Sequence, residues 1–148
     1  MVAQRNMHWW MASVVFLMAA FMAASPQAGA ANATPYPGTQ AVEANGMFVV
    51  TRASASTGAE GRGIKIAGNI VLGVYRNDFA VRMLAASVPA GIEAPLRFYI
   101  TENADGTATL TYRSPGAIFA PYESAALDEM AAELDAIWAA IVKQTVRD

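Results

Sequence analysis

The feature that most narrows the fold is a pair of alternating segments joined by a short polar link. Ala94 to Glu102 sets Leu96, Phe98 and Ile100 against Arg97, Tyr99 and Thr101. Thr107 to Arg113 sets Ala108, Leu110 and Tyr112 against Thr109, Thr111 and Arg113. A period of two puts one set on each face of a strand. The link, Asn103-Ala104-Asp105-Gly106, ends on a glycine suited to the left-handed backbone of a tight loop. These residues predict a β-hairpin with one buried face. Such a hairpin is marginal alone and needs a second layer.

The C-terminus supplies that layer. In SAALDEMAAELDAIWAAIVKQTVRD, which begins at Ser124, residues Leu127, Met130, Leu134, Ile137, Trp138 and Ile141 recur at helical steps. Ser124 suits the N-cap, Asp128 and Glu129 the first turns, and Lys143 and Arg147 the end, as the helix dipole favours. Upstream, Asn45-Gly46 is a turn signal before a strand over Met47 to Arg52. Asn69 to Arg76 reads as a further strand, apolar on both faces and therefore central. Asn77 or Asp78 then offers an N-cap to a short helix with Phe79, Met83 and Leu84 on one face, stopped by Val88-Pro89. The Gly- and Ser-rich stretch from Ser54 to Asn69 reads as a loop, and its glycines fit neither the dinucleotide fingerprint nor the P-loop. RSPGAIFAPY, ending at Tyr122, reads as an ordered loop anchored by Phe119 and Tyr122. The expected class is α+β, an antiparallel sheet of about four strands packed against a long C-terminal helix.

Residues 1–30 have a different character. Arg5 and His8 precede the apolar run Trp9 to Ala24, a short polar break follows, and Ala28-Gly29-Ala30 closes the segment. That order predicts a signal peptide cleaved after Ala30, and hence a periplasmic or secreted protein. The run falls short of the roughly 20 residues of a spanning helix. A retained membrane anchor, with Trp9-Trp10 at the interface, is the competing reading. Residues 31–43, with Pro35 and Pro37, read as a linker or N-terminal arm, and 44–148 as one domain.

What is missing limits the chemistry. The single histidine, His8, lies in the leader and the chain has no cysteine. Ser-His-Asp and Cys-His nucleophiles, thiolate or imidazole zinc sites and dithiol redox chemistry are therefore excluded from the mature chain. The acidic residues lack calcium-loop spacing, so neither metal nor cofactor is expected. With 10 Lys and Arg against 12 Asp and Glu and no basic stripe, nucleic acid is not an expected partner.

Four stretches together, NGMFVVTRASAS, GVYRNDFAVRML, GIEAPLRFYITENADGTATLTYRSP and FAPY with LDEMAAELDAIWAAI, resemble the domain of unknown function 302 family. Arg76-Asn77-Asp78, Ala94-Pro95-Leu96-Arg97, Asp105-Gly106 and Tyr112-Arg113-Ser114-Pro115 take the places of that family's motifs. The resemblance covers roughly Ala44 onward. It implies a β-α-β-β-β-β-α sandwich related in shape to TATA-binding-protein and Bet v 1-like folds, often dimeric and without an established activity. The chain departs from it before NGM, where the family has a strand and a long helix and only Gln40 to Ala44 are left to match the helix. An uncovered sheet edge follows from that departure, and a homodimer is the expected remedy.

GVYRNDFAVRML, from Gly73 to Leu84, admits two readings. In the plain one Asn77 and Asp78 cap a helix while Arg76 and Arg82 reach solvent or acidic neighbours. In the functional one Arg76, Asp78, Arg82 and Arg97, with Tyr99 and Tyr122, rim a cleft between sheet and long helix and grip a small anionic ligand. The function class expected is an exported, non-catalytic module binding a small ligand or another protein. The alternative is an enzyme using Tyr, Asp and Glu for acid–base work, with no His, Cys or thiolate metal.

Overall fold

The computed structural model describes residues 38–146; the signal peptide and cleavage site expected over residues 1–30 lie outside them. Four strands form one antiparallel sheet in the order β1-β2-β3-β4: β1 (Phe48–Ala53), β2 (Asn69–Tyr75), β3 (Leu96–Glu102) and β4 (Ala108–Tyr112). The β3–β4 hairpin forms over the predicted residues, and Gly106 takes a φ of 82° in its loop. β2 is central, as its composition predicts.

Pleating divides the sheet into two unlike faces. Ile70, Leu72 and Val74 of β2 stand in register with Ile100, Phe98 and Leu96 of β3, and all six are buried. Over this face lie α1 (Thr39–Ala44), α3 (Asn77–Ala86), α4 (Pro115–Phe119) and the long α5 (Ala125–Thr145), whose buried residues join one core. Leu127, Met130, Leu134, Trp138 and Ile141 are the buried stripe of α5, with Ile137 at its margin. Trp138 stacks on Phe98 at a centroid separation of 5.4 Å. Each such side chain stabilises the fold by about 1.5–3 kcal/mol relative to exposure.

Several local expectations are corrected. Val42 of α1 is fully buried, so the packed domain includes residues assigned above to a linker. The Gly-rich stretch contains a short helix, α2 (Ala55–Glu60), because Ser54 Oγ accepts from Thr57 N–H and starts it. RSPGAIFAPY folds into α4 and a 3-10 turn over Ala120–Tyr122, with Ser114 Oγ accepting from Ala117 N–H. Ser124 occupies the N-cap position of α5 without a side-chain capping bond. β2 is apolar on both sides, yet only one side is covered: none of Val71, Gly73 and Tyr75 belongs to the core.

Candidate functional site

The strand-to-helix junction after β2 is built around Phe79. α3 begins at Asn77, and Arg76, rather than Asn77 or Asp78, holds the N-cap position with extended backbone and no side-chain cap. Asp78 therefore falls in the first turn, where its charge suits the helix dipole. It also pairs with Arg76 through two bonds, Nε to Oδ1 at 2.7 Å and Nη2 to Oδ2 at 2.9 Å. One turn on, Arg82 forms a two-pronged pair with Glu133 of α5, at 2.8 and 2.7 Å. The guanidinium carbons of Arg76 and Arg82 lie 4.3 and 5.4 Å from the centroid of the Phe79 ring, a cation–π arrangement that orders both side chains.

These pairs fix the electrostatics. The hydrogen bond from Arg76 holds the Asp78 carboxyl below its ordinary value, and the bond from Arg82 does the same to Glu133. The Glu133 carboxylate in turn raises the Arg82 guanidinium. Both arginine forks are filled by carboxylates of the same chain. Bidentate geometry is what an external carboxylate or phosphate would need, so such a ligand would have to displace Asp78 or Glu133.

Behind Arg76 and Phe79 lies a cavity of about 30 Å³ between sheet and helices, lined by Met47, Val74, Met83, Leu96, Met130 and Trp138 among others. That volume accommodates a water molecule or two and no organic ligand. Trp138 Nε1 is buried without a hydrogen-bond partner among the described residues.

The six residues singled out from sequence do not share one cleft. Arg76, Asp78 and Arg82 cluster at the junction. Tyr122 makes no hydrogen bond to them; it donates to Glu93 Oε1 at 3.0 Å, and burial followed by that contact pushes its phenol above the ordinary value. Arg97 and Tyr99 point the other way, since β3 buries Leu96, Phe98 and Ile100 on the helix side. Arg97 makes no ion pair among the described residues.

The opposite face of the sheet is thus the second candidate. Phe48 stands beside Tyr75, Thr51 beside Gly73 and Arg97, and Ala53 beside Val71, Tyr99 and Thr111. Phe48 is 60% and Tyr99 43% exposed. The alternation of Arg97 and Tyr99 with the apolar Leu96, Phe98 and Ile100 is the sequence signal that places them on this face rather than beside α3. A further surface was also missed. Val81, Leu84, Val88 and Ile92 form an exposed aliphatic ridge along α3 and the 3-10 turn after it, with Leu84 seated against Gly91 instead of in the core with Phe79. Its signal, a second apolar series at three- and four-residue steps, was present beside the buried one.

The family model described as Domain of unknown function DUF302 matches residues 38–145. A solved structure of an uncharacterized conserved DUF302 protein from Bacillus stearothermophilus shares the fold, with a TM-score of 0.64 and 19% identity over 74% of this chain and 85% of that one. Among curated proteins, none matches the chain.

Proposed function

The chain belongs to the DUF302 family, and from that premise we propose that it is an exported, non-catalytic protein-interaction module that works as a homodimer. The observation that carries this reading is the uncovered sheet face bearing Phe48, Val71, Tyr75, Arg97 and Tyr99. Large patches of this kind on soluble domains mark interaction sites, and Tyr and Arg are the residue types over-represented among binding hot spots. The filled forks of Arg76 and Arg82 count against a small anion as ligand at the α3 junction. Of Arg76, Arg82 and Arg97, only Arg97 makes no ion pair among the described residues, and it belongs to the same open face. Acid–base catalysis draws no support from the titrating groups. Asp78, Asp105 and Glu133 move down and Tyr122 up, all away from neutrality.

Two measurements test this. Sedimentation of the purified protein at micromolar concentration is expected to give a dimer, and a monomer persisting at about 100 μM, well above the dissociation constants of stable complexes, would overturn self-association. A photo-crosslinking side chain at Tyr99 is expected to trap a discrete protein adduct in the native cell, while the same group at Glu60 is not. No adduct at either position removes the recognition face.

A further inference from the structure

We infer that the homodimer forms by antiparallel pairing of β4 with the β4 of a second copy, centred on Leu110; this rests on the self-association proposed above and names its surface. The sheet has two edges, and they are unequal. β1 is interrupted by a bulge between Val49 and Thr51 and carries Arg52, two devices that keep an edge from pairing. β4 is regular over its whole length, holds no charge and no proline, and is rich in Thr. Such a strand is a template for another.

The hydrogen-bonding parity identifies the register. Asn103 N–H donates to Thr107 O at 2.8 Å at the mouth of the hairpin. Bonded and non-bonded pairs alternate along an antiparallel ladder, so Thr109 and Thr111 turn their backbone groups toward β3. Ala108, Leu110 and Tyr112 turn theirs outward. A twofold axis at Leu110 brings these outward groups together: Leu110 faces its own copy, and Ala108 faces Tyr112 in both directions. The side chains also match. Ala108, Leu110 and Tyr112 lie on the core side, where a small residue meets a large one, and the Tyr112 ring already packs edge-on against Phe98 at 5.5 Å. On the other side Thr109 meets Thr111, a favourable cross-strand pair.

Charge is complementary at the ends of the joint. The register sets Arg113 opposite the second copy's Thr107. Thr107 Oγ1 donates at 2.6 Å to Asp105 Oδ1, which holds that carboxylate beside it. Arg113 is exposed and has no ion pair among the described residues. Two symmetric Arg113–Asp105 contacts therefore flank the pairing. The result is one eight-stranded sheet whose two open faces lie on the same side, which doubles the proposed recognition surface.

Cysteine crosslinking tests this cleanly, because the chain has no cysteine of its own. Cα atoms of a hydrogen-bonded antiparallel pair lie about 5.5 Å apart, within disulfide reach. Leu110→Cys is expected to give a disulfide-linked dimer under mild oxidation, and Val50→Cys on the β1 edge is not. Arg113→Asp and Asp105→Arg are each expected to weaken the dimer by about tenfold, and the double variant to restore it. A wild-type dimer in which Val50→Cys links and Leu110→Cys does not overturns the β4 joint and leaves self-association standing. A wild-type monomer overturns both. Should Leu110→Cys fail to fold, the charge exchange decides alone, and absence of rescue overturns the joint.

Discussion

Along β3, successive residues meet opposite fates. Leu96, Phe98 and Ile100 disappear beneath α3 and α5, while Arg97, Tyr99 and Thr101 stand on a face that no core residue touches. The two sets differ less in chemistry than this suggests, since the open side also has Val71 opposite Tyr99 and, further along, Tyr75 opposite Phe48. What separates them is the presence of a helical layer on one side only. An apolar side chain is a core residue when something covers it and an interaction residue when nothing does.

Truncating neighbouring residues of β3 separates the two faces most strongly. Phe98→Ala leaves a void beneath Trp138 and is expected to cost about 3–5 kcal/mol. Tyr99→Ala removes a ring that leans on solvent and is expected to stay within about 0.5 kcal/mol in the monomer. Denaturant unfolding checks both through the midpoint at constant slope. Comparable losses would mean that the open face is covered after all.

A smaller effect sharpens the boundary between the faces. Gly73 lies on the open side of β2 and yet is buried, because the Pro95 ring and the Thr51 hydroxyl close over it. A Cβ at Gly73 would overlap Thr51 Oγ1 and sit 2.8 Å from Pro95 Cγ. Gly73→Ala is therefore expected to destabilise by about 1–3 kcal/mol through overpacking. A loss of that size at an open-face position, read by the same unfolding experiment, would show where the uncovered surface ends. No loss would mean that Pro95 gives way freely.

Much of this was legible in the sequence, for physical reasons that also explain what was not. The β3–β4 alternation, the stripe of α5 and the glycine in the hairpin loop are local patterns, and each formed where it was read. α2 was missed because small residues and Gly58 hide its helical period, leaving Ser54 as the one signal. The six-residue grouping divides between the two faces of the sheet for a different reason. Arg76 and Arg82 were identified, but Glu133, which fills the Arg82 fork, comes from a helix 51 residues away. Arg97 was assigned to a cleft although its own alternation with Leu96 and Phe98 opposes that. Pairing partners depend on tertiary contacts, and a single sequence carries no record of them.

The smallest expected effect asks whether the charged rim of α3 behaves like the covered face or the open one. Asp78 and Glu133 have lowered carboxyl values in the folded chain, held by Arg76 and Arg82, and Asp105 is lowered by its bonds from Thr107. A depressed folded value adds stability above the unfolded carboxyl range near about pH 4, and that contribution disappears as pH falls through the folded values. Tyr122 runs the other way. Its raised phenol keeps the proton longer in the folded state, so its contribution is complete below about pH 10 and lost as pH rises further. Between these limits Asp78, Asp105, Glu133 and Tyr122 keep a constant charge, and the one histidine of the chain, His8, lies outside the described residues. The melting temperature is expected to be flat from about pH 5 to 9 and to decline gently on the acid side. Because both ion pairs face solvent, salt should blunt that decline. Arg82→Gln should remove part of the acid slope and leave the neutral melting point nearly unchanged. A steep acid transition insensitive to salt would instead mean that the Arg82–Glu133 clamp between α3 and α5 is shielded like the core beneath it.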